Sequence, residues 1–387
     1  MVQQDKLSIY RFLIILTICS TVGLQTWMIL FNNFAVEIAG LDGKEVGLIQ
    51  SVREIPGFLS LLVIYVMLIL REHTIAALSI FLLGAGLALT GFFPSCSGLL
   101  ATTLVMSFGF HYYETINKSL ILQHFSLVQT PMVFSRLRSI AAAAAILTAG
   151  LLFVLGKVLD YKWIYLILGG TIAVAGIWGV LYKLRLSETV PQHKKMIMRK
   201  CYSLFYFLTF MAGARRQIFV AFSVFLLVKV FSFSVATVTL LFILNDLVNY
   251  FINPLIGKAI VRFGERRVLS VEYTGLIFVF LIYAFTSSKV VVVCMYILDH
   301  ILFNFTIAIN TYFQKIADPK DIAPSAAVGS TINHIAAVVL PFLGGLVWMI
   351  DHRIPFIAGA VMSGISLAAV QFIRIPVKAS SEQIKQK

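Results

Sequence analysis

Two adjacent arginines, Arg215 and Arg216, lie in the middle of a long apolar stretch, residues 203–230. An arginine near the centre of a bilayer costs about 2.5–3.5 kcal/mol on insertion scales, so a membrane-spanning chain that keeps two of them needs compensation. Guanidinium groups bind carboxylates and phosphates through two parallel hydrogen bonds. The pair therefore predicts a clamp for an anionic substrate. The alternative is a structural network in which the arginines are neutralised by Glu54, Glu114, Asp246 or Asp299.

Carboxylates and histidines also occur in the middle of other apolar stretches. Burial disfavours the charged form of a carboxylate, and histidine titrates near neutral pH, so both residue types suit proton transfer. The alternatives are fixed salt bridges and hydrogen-bonded packing histidines. Adjacent residues on a helix point in different directions, so we expect Arg53 and Glu54 to have separate partners. Besides the arginine pair, the predicted substrate contacts are His111, Tyr112, His300 and Asn304. The predicted proton-coupling or gating residues are Arg53, Glu54, Glu114, Asp246, Asp299 and His334.

The composition assigns the chain to the membrane class. Of the 387 residues, 59% are hydrophobic and 12% are charged, and the mean hydropathy is +0.93. Soluble domains have about 25% charged residues. Apolar runs long enough to cross the hydrocarbon core recur along the whole chain. We predict twelve spans, numbered in chain order: 12–31, 46–70, 74–93, 98–122, 137–156, 162–182, 203–230, 235–256, 268–286, 289–313, 325–349 and 354–373.

The net charge of +14 reports the orientation of the chain and contact with anionic lipid, not a nucleic-acid partner. If the N-terminus is cytoplasmic, most lysines and arginines near the ends of the spans, Arg138 among them, lie on the inner side. The basic residues predicted on the outer side are Lys44, Lys157, Lys162, Lys229, Lys289 and Arg353. This bias predicts that both termini are cytoplasmic. Short loops and a compact chain favour a bacterial inner membrane.

A polar stretch at the chain midpoint divides the spans into six plus six. We predict an N-terminal half over residues 1–183, a cytoplasmic linker over 184–202 and a C-terminal half over 203–387. An even number of spans in each half makes the halves parallel repeats. At an offset of 192 residues, Arg53 and Glu54 align with Asn245 and Asp246.

The loop after span 8 carries the one recognisable motif. It consists of Gly257, Arg262, Gly264, Arg266 and Arg267. Glycines allow a tight turn, and the arginines stay on the cytoplasmic side and bond helix C-terminal carbonyls. The motif resembles the loop signature of the major facilitator superfamily. It lacks the acidic residue of that signature, with Val261 before Arg262, and the matching loop of the first half, residues 70–73, lacks the glycines.

The resemblance implies which spans line the pathway. In this superfamily spans 1, 4, 7 and 10 line the central cavity, spans 2, 5, 8 and 11 flank it, and spans 3, 6, 9 and 12 face outward. The mid-span ionisable residues named above all lie on lining or flanking spans. Glu272 of span 9 lies within the first turns of its span, near the cytoplasmic side.

We therefore predict an all-α membrane protein with twelve transmembrane helices in two parallel six-helix repeats. The expected function is secondary active transport by alternating access, with proton-coupled movement of a small organic anion. The alternatives are efflux of drugs or amphiphiles and a transporter-like sensor or assembly protein that moves nothing. No nucleotide-binding or catalytic motif is present, so we predict neither an enzyme, nor a cofactor, nor a metal site.

Overall fold

The computed structural model describes residues 2–182, 184 and 190–375, and these residues contain no β-strand. Part of the predicted linker, residues 185–189, and the C-terminal residues 376–387 lie outside the described ranges, as does Lys183. Within those ranges the helices follow one another as twelve segments, one for each predicted span.

Six helical segments make up the first half of the chain, and two of them are interrupted. A π-helical turn, Phe34–Ile38, extends the first helix, and a 3-10 turn, Leu59–Leu62, joins the second helix to the third. The helices are α1 (Val2–Asn33), α2 (Gly43–Phe58), α3 (Val63–Val66), α4 (Glu72–Thr90), α5 (Cys96–His124), α6 (Gln129–Leu155) and α7 (Tyr161–Leu181).

The second half repeats this order of segments. A π-helical turn, Phe219–Ser223, separates α8 from α9, and a 3-10 turn, Asn304–Thr306, separates α12 from α13. The helices are α8 (Ser203–Ile218), α9 (Val224–Lys229), α10 (Val235–Phe263), α11 (Glu265–Phe285), α12 (Lys289–Phe303), α13 (Ile307–Ile316), α14 (Ile322–Trp348) and α15 (Ile354–Val370).

Eight of the segments in the described ranges are long and apolar enough by themselves to cross a membrane. They correspond to predicted spans 1, 2, 3, 5, 6, 8, 9 and 10. Span 7 carries the arginine pair, and α15 is a shorter apolar helix of 17 residues.

The contacts divide the chain into two compact units. Unit 1 comprises residues 1–124, 140–197 and 319–331, and unit 2 comprises residues 125–139, 198–318 and 332–387. The start of α6 therefore belongs to unit 2, and the start of α14 belongs to unit 1. The predicted boundaries of the two halves, at residues 183 and 203, stay a prediction. They divide the chain by the order of its spans, whereas the two units are defined by contacts.

In unit 1, glycines bring α4 into close contact with α5 and α7. A Cβ atom on Gly84 would lie 2.3 Å from the backbone nitrogen of Ala173 on α7. A Cβ atom on Gly109 of α5 would lie 2.3 Å from the nitrogen of Leu83 on α4. Small residues allow such backbone approach, and helices in lipid associate largely through this kind of packing.

In unit 2, the helix that carries the arginine pair packs closely against α14. A Cβ atom on Gly213 would lie 2.4 Å from the carbonyl oxygen of Asn333, so a side chain does not fit there. The irregular turn of the segment comes later, at Phe219–Ser223, where the backbone is π-helical. Such π-turns interrupt α-helices most often at functional sites.

Candidate functional site

Arg215 and Arg216 lie on different faces of α8. Successive residues of an α-helix are rotated by about 100°. Only 4% of Arg215 is exposed, whereas Arg216 is exposed. The sequence treats the two residues as one clamp, but the structure makes one a buried cation and the other an accessible one.

Arg215 forms the centre of a buried ion network with α11 and α15. Its Nη2 lies 3.8 Å from the Oε1 of Glu272, and its Nη1 donates a hydrogen bond to the hydroxyl of Ser366. The guanidinium also lies over the ring of Tyr273, with 4.4 Å between its carbon and the ring centroid. Glu272 is 1% exposed. These contacts compensate a cation that would be very costly in an apolar surrounding.

Glu272 is the partner that the sequence analysis did not select. As the alternative to an anion clamp, we considered neutralisation of the arginines by Glu54, Glu114, Asp246 or Asp299, and we placed Glu272 near the cytoplasmic end of span 9. It lies seven residues into α11, about 10 Å from the start of the helix. A glutamate this far inside an apolar helix was the available signal, since a charged residue at such depth needs a partner.

Asp299 of α12 is a second buried carboxyl group near Arg215. It is 3% exposed, and its Oδ2 atom has no hydrogen-bond partner among the described residues. Among the described residues, Glu272 forms an ion pair with Arg215, whereas Asp299 forms no ion pair. Asp299 is therefore the less compensated carboxyl group of the network.

Polar side chains on α10 and α12 form a chain of hydrogen bonds in unit 2. The Nδ1 of His300 lies 3.0 Å from the Nδ2 of Asn245 and 3.1 Å from the carbonyl oxygen of Tyr296. Asn304 donates to the side chain of Asn249 at 2.8 Å and to the carbonyl of His300 at 2.9 Å. Two predicted substrate contacts, His300 and Asn304, thus share one network.

Arg138 and Arg216 both lie over the ring of Phe303. The distances from the guanidinium carbons to the ring centroid are 5.9 Å for Arg138 and 5.7 Å for Arg216. Arg138 also donates to the carbonyl and side-chain oxygens of Asn304, at 3.0 and 3.1 Å, and to the hydroxyl of Thr306 at 3.2 Å. We refer to Arg138, Arg216, Phe303 and Asn304 as the Phe303 cluster.

The start of α6 corrects the predicted start of span 5, which carries Arg138. We started span 5 at residue 137 and placed Arg138 on the cytoplasmic side. α6 instead begins at Gln129, so Arg138 lies nine residues, or about 14 Å, into the helix. We placed the start too late because the first residues of this helix are partly polar, and the span was predicted from apolar residues alone.

In unit 1, Arg53 and Glu54 bind each other. The Nη2 and Nε atoms of Arg53 donate to the Oε1 of Glu54 at 2.7 and 3.2 Å. Our expectation of separate partners was wrong for this pair, because long side chains can bend back toward a sequence neighbour. Arg53 also lies over the ring of Trp27 at 5.1 Å, and its carbonyl accepts a hydrogen bond from Ser107.

The remaining predicted residues lie in different surroundings. His111 of α5 is buried, Tyr112 is half-buried with its ring edge against Phe108, and Glu114 is exposed one turn further along. His334 of unit 2 is buried, and Asp246 is half-buried on α10. Their predicted roles in substrate binding or proton coupling stay predictions.

The loop motif has a clear structural role in unit 2. A Cβ atom on Gly257 would lie 2.4 Å from the hydroxyl oxygen of Ser135 and 3.0 Å from the carbonyl oxygen of Pro131, so a larger residue would require α6 or its side chains to shift. Gly264 joins α10 to α11 at φ +79°. All three arginines of the motif are exposed, and Arg266 donates to the side chain of Gln371 at 3.1 Å.

An acidic residue lies within this motif, between Gly264 and Arg266, and has a counterpart in the first half. Glu265, the first residue of α11, forms a buried ion pair with Lys315 of α13 at 2.7 Å. Glu72, the first residue of α4, accepts hydrogen bonds from Ser119 and Gln123 of α5. In each unit, a glutamate thus joins the start of the third segment to the end of the fourth. Sequence comparison missed this repeat because the partners are of different chemical types.

The family model described as Major Facilitator Superfamily matches residues 13–341 of the chain. The chain belongs to the major facilitator superfamily. It is therefore a membrane transporter of this superfamily, with twelve transmembrane helices in two six-helix repeats, and the predicted family and fold class are confirmed. No curated protein matches the chain by sequence.

Solved structures of this superfamily resemble the chain over nearly its whole length. The human organic anion transporter MFSD10 (TETRAN) superposes with a TM-score of 0.75 at 12% identity, covering 95% of this chain and 99% of that one. A variant of the E. coli fucose:proton symporter FucP gives 0.76 at 13% identity, with 96% and 100% covered. A bacterial homologue of the iron transporter ferroportin, in an outward-facing state, gives 0.76 at 13%, with 96% and 99% covered. At these identities the likeness shows the fold alone.

Proposed function

We propose that this transporter moves a small organic anion across the membrane in exchange for, or together with, protons. The observation that carries the proposal is the pair of guanidinium groups, Arg138 and Arg216, over one aromatic ring. Two cations next to the same ring repel each other, and an anion that contacts both would relieve the repulsion. A carboxylate or phosphate offers oxygens to both forks.

The residues around this pair suit an exchangeable ligand. Arg138 is held by Asn304 and Thr306, which fixes one cation before the ligand arrives. Arg216 is exposed and so is accessible to a ligand. A preoriented cation reduces the entropy cost of binding, and an accessible one can contact the substrate directly. The ring of Phe303 supplies an apolar surface for the carbon skeleton of the anion.

The proposed proton carrier is Asp299, with Glu272 as its neighbour in the buried ion network. Glu272 pairs with Arg215, whereas Asp299 forms no ion pair among the described residues and its Oδ2 has no hydrogen-bond partner there. A carboxyl group in such a surrounding is costly when charged, so taking up a proton stabilises it. Deprotonation then depends on water reaching Asp299 as the two repeats alternate between open states.

The structural relatives support the proposal only by analogy. One is named as an organic anion transporter and another as a fucose:proton symporter. The same fold carries many substrates, so the substrate class depends on the residues of this chain. The remaining predicted residues, His111, Tyr112, Glu54, Glu114, Asp246 and His334, stay candidates for substrate contact or gating.

A binding panel on the purified protein tests the anion site. Mono- and dicarboxylates, phosphate esters and cationic amphiphiles are added to wild type, Arg216→Gln and Arg266→Gln, and thermal unfolding is followed. We expect at least one anion to stabilise wild type and Arg266→Gln, but not Arg216→Gln. The control removes an exposed arginine of the loop motif and leaves the Phe303 cluster intact.

The other outcomes reject the anion proposal in different ways. Stabilisation by cationic amphiphiles alone would favour the drug-efflux alternative. Equal stabilisation of wild type and Arg216→Gln by an anion would mean that the anion binds elsewhere.

A further inference from the structure

Two aromatic contacts in register place His300 beside the proposed anion site of unit 2. Arg216 lies over the ring of Phe303, and Phe219, three residues further along, lies edge-on to the ring of His300 with 4.6 Å between the centroids. His300 in turn lies three residues before Phe303. Residues three apart share one face of a helix. The imidazole is therefore one helical turn, roughly 5 Å, from the ring that carries the two guanidinium groups.

The Nδ1 atom of His300 has two hydrogen-bond neighbours, and they favour opposite positions of the ring proton. The Nδ2 of Asn245 lies 3.0 Å away, and the carbonyl oxygen of Tyr296 lies 3.1 Å away. An amide NH2 group can only donate, so Asn245 requires an unprotonated Nδ1 and places the proton of the neutral ring on Nε2. The carbonyl can only accept, so it favours a protonated Nδ1.

The burial of Asn245 decides between these two arrangements. Asn245 is 2% exposed, and its Oδ1 has no hydrogen-bond partner among the described residues. Turning the amide over would give that oxygen to Nδ1 and leave the NH2 group without a partner in the same buried place. Unpaired buried N–H groups are rarer in proteins than under-satisfied carbonyl oxygens. The carbonyl of Tyr296 loses less, because within a helix it also accepts the backbone N–H four residues later.

We propose that Asn245 is a positioning residue that keeps His300 as the Nε2–H tautomer, and that this N–H donates to a second oxygen acceptor of the transported anion. None of the described residues bonds Nε2, and His300 is only half-buried, so the donor is open to a ligand. The inference rests on the proposed anion site and narrows its substrate class. The anion carries one acidic group at the two arginines and a second oxygen acceptor one helical turn away, as in a short dicarboxylate.

Nitrogen-15 NMR reads the tautomer directly and needs no ligand. Histidine is labelled selectively in the full-length protein in lipid bilayers, and the signal that is missing from His300→Gln identifies the residue. Spectra are recorded at alkaline pH, so that the ring is neutral. We expect the wild-type ring to carry its proton on Nε2. Asn245→Leu removes the amide donor and leaves the carbonyl of Tyr296, so the proton should move to Nδ1.

Asn253→Leu is the matched control for this substitution. Asn253 is also a buried asparagine of α10, with 1% of its surface exposed. In the part of the chain that the structure describes, its side chain does not bond His300. The control should therefore keep the proton on Nε2.

Binding of succinate and butyrate, which share a four-carbon skeleton, tests the role of the donor. Calorimetry compares wild type, Asn245→Leu, Asn253→Leu, His300→Leu and His300→Gln. We expect Asn245→Leu and His300→Leu to lose roughly tenfold in affinity for succinate, the effect of one hydrogen bond to a charged group. The amide of His300→Gln keeps a donor near the position of Nε2 and should retain most of the affinity. Butyrate lacks the second acceptor, so all five proteins should bind it alike.

The outcomes separate this inference from the proposed function. A proton on Nδ1 in wild type, or a tautomer and succinate affinity that Asn245→Leu leaves unchanged, overturns the role of Asn245, while Arg216→Gln still decides the anion site. An equal loss of succinate affinity in Asn253→Leu would trace the effect to helix packing and overturn the positioning role. If wild type binds neither compound, the ligand assigned to His300 is wrong, and the spectra alone decide its tautomer.

Discussion

Arg215 and Arg216 differ in their surroundings, so one substitution has different consequences at the two positions. Arg215 is buried with Glu272, and removing it leaves a buried carboxylate without its main partner. Breaking a buried pair in this way costs about 3–5 kcal/mol. Arg216 is exposed, and exposed substitutions stay within about 0.5 kcal/mol.

We therefore expect Arg215→Gln to lower the free energy of unfolding by about 3–5 kcal/mol and Arg216→Gln to leave it nearly unchanged. Chemical unfolding in detergent micelles, with the same folded baseline for both variants, measures the difference. Comparable destabilisation by the two substitutions would show that the arginines are not divided into a structural and a functional residue.

Asp299 gives a second prediction at this scale. Asp299→Asn keeps the shape of the side chain but removes its titratable proton. We expect accumulation of substrate against a gradient to fall at least about tenfold, while exchange of substrate across the membrane continues. Uptake driven by a pH gradient, compared with counterflow without one, separates the two activities. Retained accumulation in the variant would remove Asp299 from the coupling step.

The residue types of the proposed site were predicted from the sequence better than their interaction partners. The arginine pair, Asp299, His300 and Asn304 were all selected from mid-span polarity. The bond between Arg53 and Glu54 was not predicted. Helix periodicity gives the direction of each Cα–Cβ bond, but not the position of the charged group at the end of a long side chain. Glu272 was set aside because depth within a helix cannot be judged when its boundaries are uncertain.

Among the elements, α4 and α7 show how glycines determine helix packing. A Cβ atom on Gly169 would lie 2.3 Å from the nitrogen of Ala88, whereas a Cβ atom on Gly170 meets nothing within 4 Å. The two glycines are adjacent on α7, and replacing either one by a larger residue raises the helix propensity by the same amount. They therefore form a matched pair.

We expect Gly169→Leu to destabilise unit 1 by about 1–3 kcal/mol or more through overpacking, and Gly170→Leu to be tolerated. Yield of folded protein and midpoint of thermal unfolding measure the effect. A similar loss for Gly170→Leu, or no loss for Gly169→Leu, would contradict the close approach of α4 and α7.

All twelve predicted spans correspond to helical segments, because apolar length is a strong signal in lipid. The ends of the spans were less accurate. The helix of span 5 begins eight residues earlier than predicted, at Gln129 instead of 137, so Arg138 lies further into its helix than expected. The interruptions at Phe219–Ser223 and Asn304–Thr306 have no distinct sequence signal, since they depend on packing.

For the whole molecule, the six-plus-six order was predictable from span count and the polar midpoint, and the family match confirms it. The composition of the two compact units was not predictable from chain order. Residues 125–139 of the first half belong to unit 2, and residues 319–331 of the second half belong to unit 1. The repeated glutamates, Glu72 and Glu265, became visible only through their partners.

Proton flux in proteoliposomes tests the central claim most directly. Proteoliposomes that contain wild type, Arg216→Gln or Arg266→Gln are filled with a pH indicator. Each test anion is then added to the outside, so that its gradient is directed inward. The proposal predicts that at least one anion moves protons in wild type and Arg266→Gln and that Arg216→Gln loses this response. Proton movement driven only by cationic amphiphiles, no movement with any compound, or an unchanged response in Arg216→Gln would contradict it.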